Sequence, residues 1–248
     1  MRKLLLLAML TLHYGHADNI GGEVSMGIFS HNPSGDATYA LNSLGAGSVQ
    51  NMEQTFGFND SQDIFFKGYL EHPLPFLPNF KLGYTPLSTT GTRSVELFSW
   101  GDISRFTGDI ANKITLDITD ATLYYELVDN WAEVDAGLTF RRISGDMSVT
   151  TRLQTDLIDF STSTPMLYGK LRAHIPSTEI SLQLEANALA FTGINSYDYE
   201  VSARYTFYMG LGLEAGYKAF HLEDDALSDR LNVNIDFSGP YAAVIWDY

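Results

Sequence analysis

"EISLQLEANA", Glu179 to Ala188, is the stretch whose reading decides the fold. Ile180, Leu182, Leu184, Ala186 and Ala188 fall on one side of an extended chain, and Ser181, Gln183, Glu185 and Asn187 fall on the other. Side chains alternate across a strand with a period of two, so the segment predicts a strand with one apolar and one polar face. A helix would scatter both sets around its circumference.

The same grammar recurs along the chain. In "YDYEVSARYTF", Tyr197, Tyr199, Val201, Ala203, Tyr205 and Phe207 oppose Asp198, Glu200, Ser202, Arg204 and Thr206. In "AEVDAGLTFR", Val134, Ala136, Leu138 and Phe140 oppose Glu133, Asp135, Gly137, Thr139 and Arg141. Weaker copies run over 20–28, 63–71, 80–87, 114–125, 167–175 and 211–219. The clear runs match the ~9–11 residues that a tilted strand needs to cross a bilayer. No stretch after residue 17 has the ~18 apolar residues of a spanning helix.

The connections alternate in length. Those at 73–79, 128–131, 176–178 and 208–210 are short and turn-like, whereas 30–62, 88–113, 142–165 and 221–230 are long, with 192–196 the short exception. Long loops on one side and tight turns on the other is the asymmetry of a transmembrane barrel. The last segment, Leu231 to Tyr248, changes parity: Leu231, Val233, Ile235 and Phe237 give way to Val244, Trp246 and Tyr248. A bulge at Gly239-Pro240 would shift the alternation by one place. One bulged strand there gives ten strands, and a turn there gives eleven.

Composition narrows the function. Fifteen Lys and Arg stand against 30 Asp and Glu, a net charge of −15, which repels phosphate backbones and argues against a nucleic-acid partner. There is no cysteine, so neither a disulfide nor a thiolate is expected to carry stability or function. Arg2 and Lys3, the apolar run Leu4 to Leu12, and Gly15-His16-Ala17 have the layout of a secretory signal peptide cleaved after Ala17. The expected organisation is a signal peptide, 1–17, and one barrel domain, 18–248.

Alternation alone does not say which face meets lipid, because a lipocalin-like soluble barrel has the same period. The loop asymmetry favours the membrane. So does a collection of aromatic residues near the short turns and the C-terminus, Phe80, Tyr124, Tyr125, Trp131, Phe207, Tyr208, Trp246 and Tyr248, which suits an interfacial girdle. The third feature is "YAAVIWDY", residues 241–248. Val244, Trp246 and Tyr248 resemble the C-terminal strand signature of bacterial outer-membrane β-barrel proteins, which implies recognition by the barrel-assembly machinery. "IGGEVSMGIF" (20–29), "LEHPLPFLPNFKLGY" (70–84) and "LYYELVDNWAEVDAGLTFR" (123–141) likewise resemble segments of a family of small bacterial outer-membrane proteins of unassigned function. The resemblance implies no catalytic motif.

The expected fold is therefore all-β: a closed antiparallel transmembrane β-barrel of ten strands, with eight to twelve allowed. Arg or Lys on the lipid side costs ~2–4 kcal/mol near the midplane, so the polar faces are expected to look inward. They bring Glu133, Asp135, Arg141, Arg172, Glu185, Glu200, Arg204 and Lys218 into the lumen, with Glu23, Lys67, Glu71, Lys170, Asp198 and Glu214. Such a lumen is either a salt-bridged plug or an open path.

Catalytic signals are thin. "GLGLEAG" (210–216) has GxGxxxG spacing with no helix pattern after it, so it predicts small residues at a strand start. His221 near Glu223, Asp224 and Asp225 has the residue types of a general-base or cation site, on what is expected to be an acidic external loop. Asp102, Asp109, Asp156, Asp159 and Asp224-Asp225 could bridge through divalent cations to phosphorylated lipid headgroups. The leading expectation is a non-catalytic outer-membrane protein, structural or narrow and porin-like, without cofactor or metal, monomeric, with outer-membrane lipids and lipopolysaccharide as partners. The alternatives are a surface adhesin or receptor acting through loops 31–62, 89–113 and 142–165, and a barrel hydrolase, protease or lipase, built on His221.

Overall fold

A computed structural model describes residues 20–40, 48–74, 76–191, 194–228 and 231–248. The signal peptide expected over 1–17 lies outside them. The elements are β1 (Gly21–Tyr39), β2 (Gln50–Asn51), β3 (Ser61–Glu71), β4 (Asn79–Trp100), β5 (Ile103–Asp129), β6 (Ala132–Thr150), β7 (Thr155–His174), β8 (Ile180–Phe191), β9 (Ile194–Thr206), β10 (Leu211–Ser228) and β11 (Leu231–Asp247). Each strand from β3 to β11 pairs antiparallel with the next, β1 pairs with β3, and β11 returns to β1. The result is a closed barrel of ten strands, with the two-residue β2 laid against the upper part of β1.

The final strand corrects the sequence reading. No bulge interrupts it: β11 keeps one register with β10 from Leu211↔Trp246 to Asp224↔Val233, and with β1 from Glu23↔Asp247 to Tyr39↔Leu231. Odd-numbered residues face inward along its whole length, from Leu231 to Ile245. The parity of hydrophobicity changes because the surroundings change. Near the C-terminus the apolar set points out, and above Gly239 the apolar set points in. Gly239 is there for close approach, since a Cβ would sit 1.9 Å from the Ser30 carbonyl oxygen.

The same inversion runs along β5. Even-numbered residues face inward throughout, but they are Ile110, Ile114, Leu116 and Ile118 above and Asp120, Thr122 and Tyr124 below. Two environments therefore act on one continuous ladder. Below, the wall carries exposed apolar side chains on all ten strands, among them Met26, Phe66, Leu82, Leu123, Phe140, Leu171, Leu184, Val201, Leu213 and Val244. Above, the outer face is polar, with Ser88, Thr90, Asp117, Ser144, Ser148, Ser161 and Ser163 outside an apolar core.

Two prolines mark where the cylinder divides. The β3–β4 ladder stops at Phe66↔Tyr84, and two residues further up in this register Pro86 would stand opposite Ile64. The β7–β8 ladder stops at Leu167↔Ala188, and Pro165 would stand opposite Ala190. Proline has no N–H to donate, so each ends its ladder. Above them β4 to β7 continue as one sheet, and β1, β10 and β11 as another, with their inner faces in a single apolar cluster that includes Leu87, Ile114, Met147, Phe160, Leu222, Val233 and Phe237. Most of what looked like external loop is thus strand. β4 and β5 turn only at Gly101-Asp102, β6 and β7 only at 151–154, and β10 runs on to Ser228.

The segment 48–60 closes the gap between β1 and β4. Phe58 bridges to Gly91, the Asn112 side chain donates to the Phe56 carbonyl at 2.6 Å, and the Met52 N–H donates to Gly35 at 2.9 Å. Phe56 is fully buried, its ring edge-on to Trp100 at 5.0 Å and to Phe98 at 6.1 Å.

Candidate functional site

The lower lumen is the chemically distinctive region. Asp135, Arg141, Glu185, Glu200, Arg204 and Lys218 are all buried inside it, and Glu133 and Arg172 lie at its lower, partly exposed end. The inward parity of five strands, β6 to β10, brings these charges together. Glu200 is held by Lys67 and by Lys218, the latter at 3.0 Å. Arg141 pairs with both carboxylate oxygens of Asp120, at 2.7 Å each, and with Asp198. Glu23 accepts from Arg172 at 3.2 Å and from Arg204 at 2.6 Å, while Lys170 meets Asp135 at 2.6 Å. Gln183 accepts from the same two arginines, at 2.8 and 3.0 Å.

Lys81, which pairs with Glu185, and Asp120 were missing from the sequence list. Their positions are plain once parity is fixed for β4 and β5. Three inward tyrosines were missed as well. Tyr69, Tyr124 and Tyr168 pack with ring centroids 6.5 and 5.8 Å apart, and Lys81 and Lys170 stand over their faces at 5.1–5.7 Å. Cations over aromatic faces keep part of their solvation in a dry interior. Tyr124 therefore leaves the expected girdle: it is fully buried and donates to Glu71 at 3.0 Å. Tyr125, Trp131, Phe207, Tyr208, Trp246 and Tyr248 are exposed.

A cavity of about 20 Å³ lies where the charged layer meets the apolar core, between Lys67, Lys81, Asp120, Glu200, Phe29 and Phe220. That is room for one water. Above it the apolar core fills the upper interior, and 48–60 covers its side.

The other predicted sites are dispersed. His221 sits in β10 rather than on a loop and has the outward parity of that strand. Its Nδ1 is 2.9 Å from Asp236, and its ring stacks on Tyr197 at 4.7 Å. Glu223 accepts from Asn195, not from His221. Ser196 Oγ donates to the His221 carbonyl and not to the ring, which is not the contact of a nucleophile and its base. The side chain of Asp225 lies outside the described residues. Asp102 and Asp156 meet at the top of the molecule, where the Asp102 N–H donates to the Asp156 carboxylate at 2.6 Å. Burial lifts the Asp156 carboxyl above its ordinary range even so. Among the described residues no group of three or more His, Asp or Glu could hold a metal ion.

Val244, Trp246 and Tyr248 are exposed on the closing strand, and Tyr248 and Gly22 exchange two backbone hydrogen bonds, at 2.9 and 3.1 Å. The ends of the barrel wall thus meet at this segment. No helix among the described residues is long and apolar enough to cross a membrane, but the exposed belt crosses with strands. Alternating apolar-out and polar-in residues around a closed cylinder are the surface of a lipid-embedded barrel.

The solved structures similar to the chain include three bacterial proteins. Ail, the attachment invasion locus protein of Yersinia pestis, is 9% identical over 91% of this chain and 99% of that one, with a TM-score of 0.39. A Pseudomonas aeruginosa FadL homologue is 11% identical over 93% and 90%, with a TM-score of 0.36. The transport unit of the autotransporter AIDA-I from Escherichia coli is 12% identical over 99% and 95%, with a TM-score of 0.38. No family model and no curated protein matches the chain.

Proposed function

We propose that this chain is an integral outer-membrane protein whose barrel is a sealed, non-catalytic anchor and whose working part is the two-sheet extension held above the membrane. One observation carries the reading: the lumen is filled twice, by a salt-bridged layer with a single-water cavity and by an apolar core above it. A pore needs a continuous wet path, and both layers oppose one. Between the open path and the plug that the sequence left undecided, this packing favours the plug.

A specific observation also favours surface attachment within this reading. The extension is regularly hydrogen-bonded, with β4 to β7 paired nearly to their turns, and it presents Ser, Thr and Asp side chains in register, such as Ser88, Thr115, Asp146 and Asp159 across four strands. A hydrogen-bonded polar sheet held clear of the lipid loses little conformational entropy on binding a partner. The test is conductance in planar bilayers. Insertion without discrete current steps is expected, and stable ohmic steps from heat-modifiable, folded protein would reject the sealed lumen.

A further inference from the structure

The lipid-facing belt is not uniform. Where β1, β3 and β4 cross it, an apolar groove of about 730 Å³ opens on the outer wall, lined by Val24, Met26, Phe66, Gly68, Leu82 and Trp246. Its volume is in the ~300–1,000 Å³ range of small-molecule sites. The floor is Gly68, which stands opposite Val24 on one side and Leu82 on the other and brings no side chain. A Cβ built at Gly68 would meet nothing closer than 4.0 Å, so the space is open and neither backbone strain nor crowding demands the glycine.

The groove runs obliquely toward the outer interface. Along one cross-strand row Met26 faces Phe66, Phe66 faces Tyr84, Tyr84 faces Thr119, and Thr119 faces Arg142. Met26 is in the middle of the belt on β1, with Val24 and Ile28 exposed on either side. Arg142 is the first polar outward residue beyond the belt on β6, after Leu138 and Phe140. Thr119 lines the groove, and directly opposed residues have Cβ atoms ~4.5–5.5 Å apart, so the guanidinium can reach its upper end.

Arg142 has no ion pair among the described residues. Asp117, its diagonal neighbour on β5, accepts the Tyr84 hydroxyl at 2.5 Å. The other described permanent cations of β4 to β6 are either buried in the lumen, as Lys81 and Arg141 are, or sit higher on the extension, as Lys113 does. A single exposed guanidinium at headgroup depth, on an acidic chain, at the end of an apolar channel, is complementary to an amphiphile with an anionic head and a hydrocarbon tail.

We infer that this groove holds one acyl chain of a phosphorylated outer-leaflet lipid, with the phosphate on Arg142 and the chain over Gly68. Guanidinium matches phosphate with paired N–H donors, and methylenes over Gly68 leave the disordered bilayer for a fixed apolar wall. The inference rests on the membrane reading proposed above and deepens its lipid partner to a site.

The experiment uses folded protein in a non-ionic detergent, titrated with lipid A or with dephosphorylated lipid A and read by native mass spectrometry. Wild type is expected to retain one equivalent of lipid A. Gly68→Phe fills the groove and weakens retention of both forms about tenfold, whereas Arg142→Gln weakens only the phosphorylated form, also about tenfold. Inorganic phosphate alone is expected not to compete, because the tail is half of the recognition. Equal retention by wild type and both variants, or displacement by inorganic phosphate, overturns the site. Heat-modifiable gel migration is measured on the same samples: if wild type fails to shift, the membrane-barrel reading fails instead.

Discussion

Leu184 and Glu185 are adjacent in β8 and occupy different solvents, the first 40% exposed on the belt and the second 2% exposed beside Lys81 and the Tyr69 hydroxyl. The depth of the belt can be tested at this scale. Leu184→Arg places a cation near the midplane and should cost ~2–4 kcal/mol in reversible unfolding from lipid vesicles. Ser148→Arg, on the outer face of the extension, should stay within ~0.5 kcal/mol. Equal penalties at the two positions would place both in one environment and contradict the inversion seen along β5 and β11. The lumen makes a second residue-scale prediction. Glu200→Gln leaves Lys67 and Lys218 buried without their shared carboxylate and should cost ~3–5 kcal/mol in the same assay, because breaking a buried pair exposes the full desolvation cost of the survivor. A loss below ~1 kcal/mol would mean that water reaches the lysines and that the lumen is not dry.

Elements show where sequence reading succeeds and where it stops. Lower strands such as β8 and β9 were legible because lipid on one side and a charged lumen on the other impose strict alternation over their whole span. The upper parts of β4, β6 and β7 were not. Outside the membrane no lipid enforces an apolar outer face, so stretches such as Ser88–Arg93 and Ser161–Pro165, rich in Ser and Thr, look like loops while pairing as strands. Pro86 and Pro165 each end a ladder on one edge and leave their strands intact. The parity change in β11 was visible and misassigned, since a bulge and a change of solvent leave the same trace in sequence. The lumen charges follow from alternation alone, whereas Lys81 and Asp120 lie on β4 and β5, where the inward face changes from polar to apolar and alternation of hydrophobicity is weak. Segment 48–60 could not be foreseen, because its apolar residues, Met52, Phe56 and Phe58, have no period. Its role can be measured. Phe56→Ser should remove hydrogen-exchange protection from Ile110 to Ile118 while leaving the β8–β9 ladder protected. Uniform loss across both would show that the extension and the membrane barrel unfold as one unit.

At the scale of the whole molecule, one cylinder is built as two proteins in series, a membrane barrel that is polar inside and a water-facing sheet pair that is apolar inside. The short connections and the closing strand end lie on the belt side, and the extension projects from the other. Short turns on one side and long structure on the other is the asymmetry of barrels whose turns face the periplasm, so the extension is expected on the cell exterior. The chain contains no cysteine, so single substitutions report position without background. Thr92→Cys, exposed on upper β4, should react with a membrane-impermeant maleimide on intact cells. Glu179→Cys, exposed in the connection between β7 and β8, should react only after the outer membrane is permeabilised. Leu184→Cys should resist in both conditions and react once the barrel is boiled, since acyl chains exclude the water-soluble reagent. If Glu179→Cys is labelled on intact cells while Thr92→Cys is not, the molecule is inverted, and an extension in the periplasm would leave surface attachment without a surface.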